Sequence, residues 1–137
     1  MAISDLILQL QHAKGPNYDL DVSIGIVMGY KRKVEMRGPD ESKDRKVVWL
    51  YPKKGDEVSL PRFTENLEDA YFLTRSILPG CVGGVSWDEE GGTAKLDNGA
   101  YFTAATPALA LCIAALSGAF AEDDDAPETL PNSLPPS

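Results

Sequence analysis

Apolar residues recur at helical spacing near the start of the chain and again in its middle, with turn residues between these segments. The spacing predicts two short N-terminal helices that Gly15 and Pro16 separate, with Asn17 placed to cap the second. A third helix is expected after Thr64, whose side chain can cap it. The pattern therefore favours a helical hairpin followed by one isolated helix.

The last apolar segment predicts a buried helix. Thr106 and Pro107 form a strong helix start, because proline is favoured at the first helical position. Residues 108–116 (ALALCIAAL) are apolar all round, which is typical of a helix that is covered on most faces. If the fold leaves part of it uncovered, we expect a homo-oligomer contact through residues 107–116.

Alternating and β-branched segments between the helices predict antiparallel strands. Residues 46–51 (KVVWLY) indicate a strand, and residues 57–60 indicate a short return strand. Residues 81–96 predict a hairpin that contains Trp87 and turns at paired glycines. Residues 31–46 are charged, lack an apolar period and contain a Gly-Pro-Asp turn, so we expect a long solvated loop there.

Together these elements predict an α+β fold. We expect an α-β-α sandwich with a small antiparallel sheet that helices cover on both faces, because the last helix is apolar all round. A single domain would span residues 1–121. Residues 122–137 would form an acidic, Pro-rich mobile tail, since their apolar content is too low to fold.

Composition and charge exclude several classes of protein. The chain has 137 residues and a formal net charge of -8, so general nucleic-acid binding is opposed by repulsion from the phosphates. Two cysteines are too few for a disulfide framework, and we expect free thiols. We see no signal segment and no apolar stretch of the ~20 residues that span a bilayer. We therefore expect a cytoplasmic protein with no membrane contact.

The charge is distributed unevenly along the chain. Residues 31–54 contain nine basic and four acidic residues, whereas no basic residue follows Lys95. Five acids lie after residue 121. The body is therefore only mildly acidic around a basic middle segment, which is compatible with a local site for a small anion.

Four segments and the Trp87 hairpin carry a resemblance to a known family. The segments are residues 4–16 (SDLILQLQHAKGP), 18–30 (YDLDVSIGIVMGY), 60–70 (LPRFTENLEDA) and 105–116 (ATPALALCIAAL). In these segments the chain resembles the bacteriophage ABA sandwich domain family of small phage and prophage proteins. The resemblance covers nearly all of residues 3–118 and implies the sandwich fold and a phage origin. It implies no catalytic residues, and the basic loop and acidic tail depart from it.

The sequence contains no recognisable catalytic constellation. His12 is the only histidine and lies near the end of the first predicted helix, where a structural role is usual. Nucleophile-elbow and phosphate-loop motifs are absent from the sequence. The acids at residues 88–90 lie at a predicted hairpin tip, where solvated turn residues are the ordinary interpretation. We therefore expect no enzyme activity, no metal site and no cofactor.

The basic middle segment is the best candidate for a binding site. The residues concerned are Arg32, Lys33, Arg37, Lys46 and Trp49. Cations grouped around an aromatic ring can clamp phosphates and stack a base, which predicts a small anionic nucleotide as the ligand. The alternative is a solvated loop whose charges its own acids balance, with Trp49 in the sheet core.

Three functions stay open on these grounds. The leading hypothesis is a phage or prophage accessory protein that acts by stoichiometric binding in counter-defence, in its sharpest form a sponge for a small nucleotide signal. The first alternative is an acidic protein–protein inhibitor of a host nuclease or defence complex. The second alternative is a virion or assembly accessory protein, which would be found in purified particles.

Overall fold

The fold combines four helices and six strands within the residues that the structure describes. The computed structural model describes residues 2–36 and 45–125. The elements within them are α1 (Ile3–His12), α2 (Tyr18–Met28), β1 (Lys31–Met36), β2 (Arg45–Leu50), β3 (Glu57–Val58), α3 (Leu67–Ile77), β4 (Gly83–Asp88), β5 (Gly91–Leu96), β6 (Phe102–Ala104) and α4 (Pro107–Asp125). The α+β class that the sequence predicts is confirmed.

The last helix, α4, lies at the centre of the fold. It starts as predicted, with Pro107 in the first helical position and the Leu109 N–H donating to Thr106 Oγ1 at 3.2 Å. Residues 108–116 are all buried, because α1, α3 and the second sheet pack around the helix. The rest of the chain therefore covers this helix. Residues 108–116 present no exposed apolar face through which the expected oligomer contact could form.

Local cap chemistry sets the ends of α2 and α3. The Asn17 side chain accepts a hydrogen bond from the Leu20 N–H at 3.0 Å, as predicted. Gly29 ends α2 with a φ of 102°, a left-handed conformation that glycine adopts without strain. The N-cap of α3 is Asn66 rather than the expected Thr64, which forms a different set of hydrogen bonds.

The strands form two separate antiparallel sheets, not the single sheet that the sequence predicted. The first sheet has the order β1-β2-β3, and the second has the order β4-β5-β6. In both sheets the spatial order follows the chain order, so each strand pairs with its neighbour in sequence. The sequence pattern showed which segments are extended, but it carried no information on where one sheet ends and the next begins.

Part of the expected solvated loop is a strand. β1 pairs with β2 along its whole length, from Lys31 opposite Leu50 to Met36 opposite Arg45. Its sequence, KRKVEM, places charged residues on both faces, so it lacks the apolar alternation by which strands are recognised. Main-chain pairing with the more apolar β2 holds it extended. Residues 37–44, the rest of the expected loop, lie outside the described residues.

A helix covers one face of the second sheet. Ala94 and Leu96 of β5 face α4, and Gly92 approaches so closely that a Cβ there would overlap the backbone of Pro107. On the opposite face Ser86 and Thr103 are exposed. The expected cover by helices on both faces is thus not found for this sheet, because α1 and α3 pack against α4 instead.

The last helix passes the domain boundary that the sequence predicted. α4 continues through Asp125, so the first four acids after residue 121 belong to the helix. No proline interrupts the chain between Pro107 and Pro127, and the acids themselves do not break a helix. The rest of the predicted tail, residues 126–137, lies outside the described residues.

Candidate functional site

The predicted binding residues divide between the two faces of the first sheet. Arg32 lies directly opposite Trp49, and Lys33 lies directly opposite Val48. Because neighbouring residues of a strand point to opposite faces, Arg32 and Trp49 share one face and Lys33 lies on the other. The sheet therefore separates the two cations that are adjacent in the sequence.

The two remaining predicted residues are Lys46 and Arg37. The register pairs Lys46 with Glu35, and the Lys46 side chain is not among those that the structure describes. Arg37 lies outside the described residues. Within the described part of the chain, the expected group of cations around one ring is not assembled on one face.

Trp49 is a core residue. Its exposed fraction is 5%, and it belongs to the main apolar cluster of the protein. A ring that is almost fully covered offers no open face on which a nucleobase can stack, so the sheet-core interpretation describes Trp49 better. Arg32 is exposed beside it, whereas Lys33 lies 3.9 Å from the Glu35 carboxylate in an exposed ion pair.

A cleft with a volume of about 750 Å³ opens between the first sheet and the start of α2. β2 and β3 form one wall, the start of α2 forms another, and the segment of residues 59–65 forms the third. The sheet wall is mainly apolar and includes Val47, Trp49 and Val58. The opposite walls are polar and include Asp21 and Arg62.

One wall of the cleft contains a buried hydrogen-bond network. Asp21 is 3% exposed, and its Oδ1 accepts hydrogen bonds from the N–H and the hydroxyl of Thr64, both at 2.8 Å. The Asn17 N–H in turn donates to Thr64 Oγ1 at 2.9 Å. These contacts tie the start of α2 to the segment before α3, so they hold two walls of the cleft together.

Burial alters the acidity of two groups in this region. It raises the pKa of the Asp21 carboxyl above its ordinary value of 3.8, and the hydrogen bonds from Thr64 only partly oppose this shift. The Cys112 thiol donates to the Phe63 carbonyl at 3.3 Å. Burial, with a smaller contribution from the charge of Asp21, raises the pKa of Cys112 far above its ordinary range. Cys112 is therefore a structural thiol, not an activated nucleophile.

Acidic groups outnumber basic ones along the cleft. Glu57 and Glu65 line it together with Asp21, and Arg62 is the one basic lining residue in the described part of the chain. The Arg62 guanidinium lies 3.4 Å from Glu65, and its main-chain N–H donates to Asp69 at 2.9 Å. The cleft thus offers one charged donor beside several carboxylate acceptors, and it is not the strongly basic pocket that the sequence suggested.

Sequence reasoning missed Asp21 and Thr64 as residues of the site. Asp21 resembles an ordinary acid in the first turn of a helix, where the dipole favours negative charge. It also lies three positions before Ile24 and therefore on the buried stripe of α2, which was a usable signal. Thr64 carries no comparable signal, because its partner lies 43 positions away along the chain.

The part of the chain that the structure describes, residues 2–36 and 45–125, offers little other site chemistry. In these ranges no group of three or more His, Cys, Asp or Glu side chains is arranged to hold a metal ion. His12 Nδ1 lies 2.9 Å from the Leu8 carbonyl oxygen, one turn earlier in the helix, as befits a helix-end residue. No helix in these ranges has both the length and the apolar character needed to cross a membrane.

Comparison with models of known protein families, with curated proteins and with solved structures finds no match to this chain. The resemblance to the phage sandwich family therefore stays a prediction.

Proposed function

We propose that this protein acts by stoichiometric binding and that its ligand occupies the cleft between the first sheet and α2. The volume of the cleft, about 750 Å³, carries this proposal, because small-molecule sites span roughly 300–1,000 Å³. One wall is apolar and the others carry hydrogen-bonding groups. A ligand with a flat ring and polar edges fits such walls.

The ligand class that these walls favour is a small nucleotide. Val47 and Val58 would contact the base, and Glu57 and Glu65 would accept hydrogen bonds from its amino groups or from ribose hydroxyls. Arg62 supplies a charge-assisted donor for a phosphate. Because cations are few here, we expect a ligand with one or two phosphate groups rather than a longer polyanion.

Arg32 extends this site beyond the cleft itself. It is exposed and shares its sheet face with Trp49, a lining residue of the cleft. A ligand that reaches past the sheet wall would meet its guanidinium, which binds phosphate oxygens in a bidentate manner. Of the residues that the sequence singled out, Arg32 thus keeps the role of a phosphate ligand in this proposal.

Binding of this kind would serve a phage or prophage in counter-defence, as a sponge that removes a nucleotide signal of the host. The support for this role is the resemblance of the four sequence segments to the phage sandwich family. A sponge requires tight binding and no chemistry on the ligand. It would act where the signal is made, in the cytoplasm of the bacterial host.

Calorimetry with a panel of cyclic dinucleotides, ADP-ribose derivatives and mononucleotides tests the proposal. We expect one member to bind with a Kd of about 1 µM or less, which corresponds to roughly 8 kcal/mol. Arg62→Gln should weaken this binding about tenfold, because it removes the charged donor from the cleft.

Arg75→Gln is the matched control for this experiment. Arg75 lies on α3 over the ring of Tyr71, at 5.5 Å from its centre, and does not line the cleft. Its substitution should leave the Kd unchanged. Failure of every nucleotide to bind, or equal losses in the two arginine variants, would contradict the proposal.

An acidic protein–protein inhibitor is the second candidate. The exposed carboxylates of Glu57 and Glu65 along the cleft and the net charge of -8 favour a basic partner surface, such as that of a host nuclease. Inhibition would then fall steeply with salt, and truncation after Ala121 would weaken it. An excess of added nucleotide would saturate a sponge and abolish its effect, whereas it would leave inhibition of a partner protein unchanged. One competition assay therefore separates the two candidates.

A further inference from the structure

β4 is an edge strand without the usual protection against pairing. It lies at the end of the second sheet, and no described strand borders its outer side. Trp87 is 68% exposed, and Val82, just before the strand, is 74% exposed. Residues 83–88 (GGVSWD) contain no lysine, arginine or proline, whereas β1, an edge of the first sheet, begins with Lys-Arg-Lys. The edge at β4 is therefore open to a further strand.

Alternate residues of β4 direct their main-chain groups to this open edge. The Asp97 N–H donates to the Val82 carbonyl at 2.6 Å, so Val82 points its main-chain groups towards the β5 side. The direction alternates along an antiparallel ladder, so even-numbered residues face β5. Gly83, Val85 and Trp87 therefore present their N–H and C=O groups to the outer edge.

We propose that two copies of this chain pair through β4 to form a dimer. The strands run antiparallel about a two-fold axis at Val85, so that Val85 lies opposite its own copy and Trp87 lies opposite Gly83 of the second copy. In this register the hydrogen bonds between the two copies form between residues whose N–H and C=O groups point to the outer edge, and they number about six. The two sheets become one continuous antiparallel sheet.

The side chains in this register are complementary. Gly83 has no side chain, so the indole of Trp87 from the other copy lies across it, as aromatic residues do over glycine in paired strands. Trp87 pairs with Gly92 within its own sheet, so it lies on the face that α4 covers. The exposed surface of both indoles is thus buried between the two copies.

The pairing brings neither the α4 helices nor the acidic turns of the two copies into contact. α4 packs mainly on β5 and β6, so the two α4 helices would lie about 14 Å apart, three strand spacings, which exceeds the 8–10 Å of helices in contact. The acidic hairpin turns at residues 88–90 lie at opposite ends of the paired strands, at least about 20 Å from each other. The dimer forms through β4, none of whose residues line the cleft, so this proposal and the proposed function fail independently.

Light scattering coupled to size-exclusion chromatography tests the dimer, and tryptophan fluorescence tests its surface. The mass at about 100 µM should be twice that of one chain, and it should fall towards that of a single chain on dilution. The chain has two tryptophans, and Trp49 is already buried within one copy. A red shift of the emission on dilution would therefore report the uncovering of Trp87.

Two variants test whether the dimer contact lies on β4. Val85→Pro removes an N–H that points to the edge and not to β5, so the fold should persist while the dimer weakens at least tenfold. Trp87→Lys adds a charge to an exposed position of the edge and should have the same effect, which keeps the test valid if Val85→Pro unfolds. Tyr71→Ser removes an exposed aromatic residue of α3 and should leave the dimer intact. A monomer at about 100 µM, or a dimer that Trp87→Lys does not weaken, would overturn the proposal.

Discussion

Thr64 donates two hydrogen bonds to the buried carboxylate of Asp21, one from its N–H and one from its hydroxyl, both at 2.8 Å. Asp21 lies in the first turn of α2, and Thr64 lies in the segment that leads to α3. The pair therefore joins the N-terminal helices to the middle of the chain and forms part of the cleft. A change that loosens this contact alters both stability and the shape of the candidate site.

The first prediction concerns the hydroxyl of Thr64. Thr64→Val keeps the shape of the side chain and removes the group that donates to Asp21 and accepts from Asn17. We expect the free energy of unfolding to fall by about 1–3 kcal/mol, the usual cost of leaving buried polar groups without a partner. Urea denaturation measures this change. Thr103→Val, at an exposed position of β6, should change it by less than about 0.5 kcal/mol, and equal effects would contradict the assigned network.

The second prediction is the pH dependence that Asp21 adds. Because burial raises its pKa in the folded protein above 3.8, its contribution to stability is fully present below that value. The contribution is lost as the pH rises through the folded-state pKa. The stability of the wild type relative to Asp21→Asn should therefore decrease as the pH is raised from about 3.8 towards neutrality.

Urea unfolding of both proteins at a series of pH values tests this dependence. The other acids titrate in both proteins, so the difference between them isolates Asp21. A difference that grows with pH would show that the folded protein favours the ionised carboxylate instead.

The third prediction concerns the two thiols. Cys112 is fully buried and its pKa is strongly raised by burial, whereas Cys81 is half-buried. In the native protein, a thiol reagent such as DTNB should modify Cys81 and leave Cys112 unmodified until the chain unfolds. Cys81→Ala should remove the native-state reaction altogether. Rapid labelling of that variant under native conditions would contradict the burial of Cys112.

The fourth prediction concerns the close approach of β5 to the start of α4. Gly92→Ala places a methyl group against the backbone of Pro107, which cannot move aside as a flexible side chain can. We expect a loss of about 1–3 kcal/mol in the free energy of unfolding, typical of overpacking. Gly84→Ala is the control in the same sheet, because a Cβ there meets no atom within 4 Å. Thermal unfolding of the two variants should separate them, and similar midpoints would argue against this packing.

Features that depend on a few neighbouring residues were predictable from the sequence. The Asn17 cap and the Thr106-Pro107 start are each recognised from one or two residues, and the structure contains both. The burial of residues 108–116 was predictable for a related reason. A helix without a polar face can lie only where other elements cover it on all sides.

The candidate site was less predictable than the fold. The sequence placed Arg32, Lys33 and Trp49 in one region, and the register divides them because adjacent residues of a strand face opposite ways. The sequence predicted a loop at residues 31–46, and side chains can be assigned to sheet faces only when β1 is known to be a strand. The burial of Trp49 follows from the packing of β2, and no local pattern distinguishes a core tryptophan from an exposed one.

By itself, the sequence determined the helices, the position of α4 in the core and the α+β class, because caps and apolar periods act within one element. Only the tertiary structure decided that β1 pairs with β2, that the strands form two sheets and that Asp21 meets Thr64. It also left β4 as an open edge. These features depend on main-chain pairing and on contacts between residues that are distant along the chain, and folding alone brings such groups together.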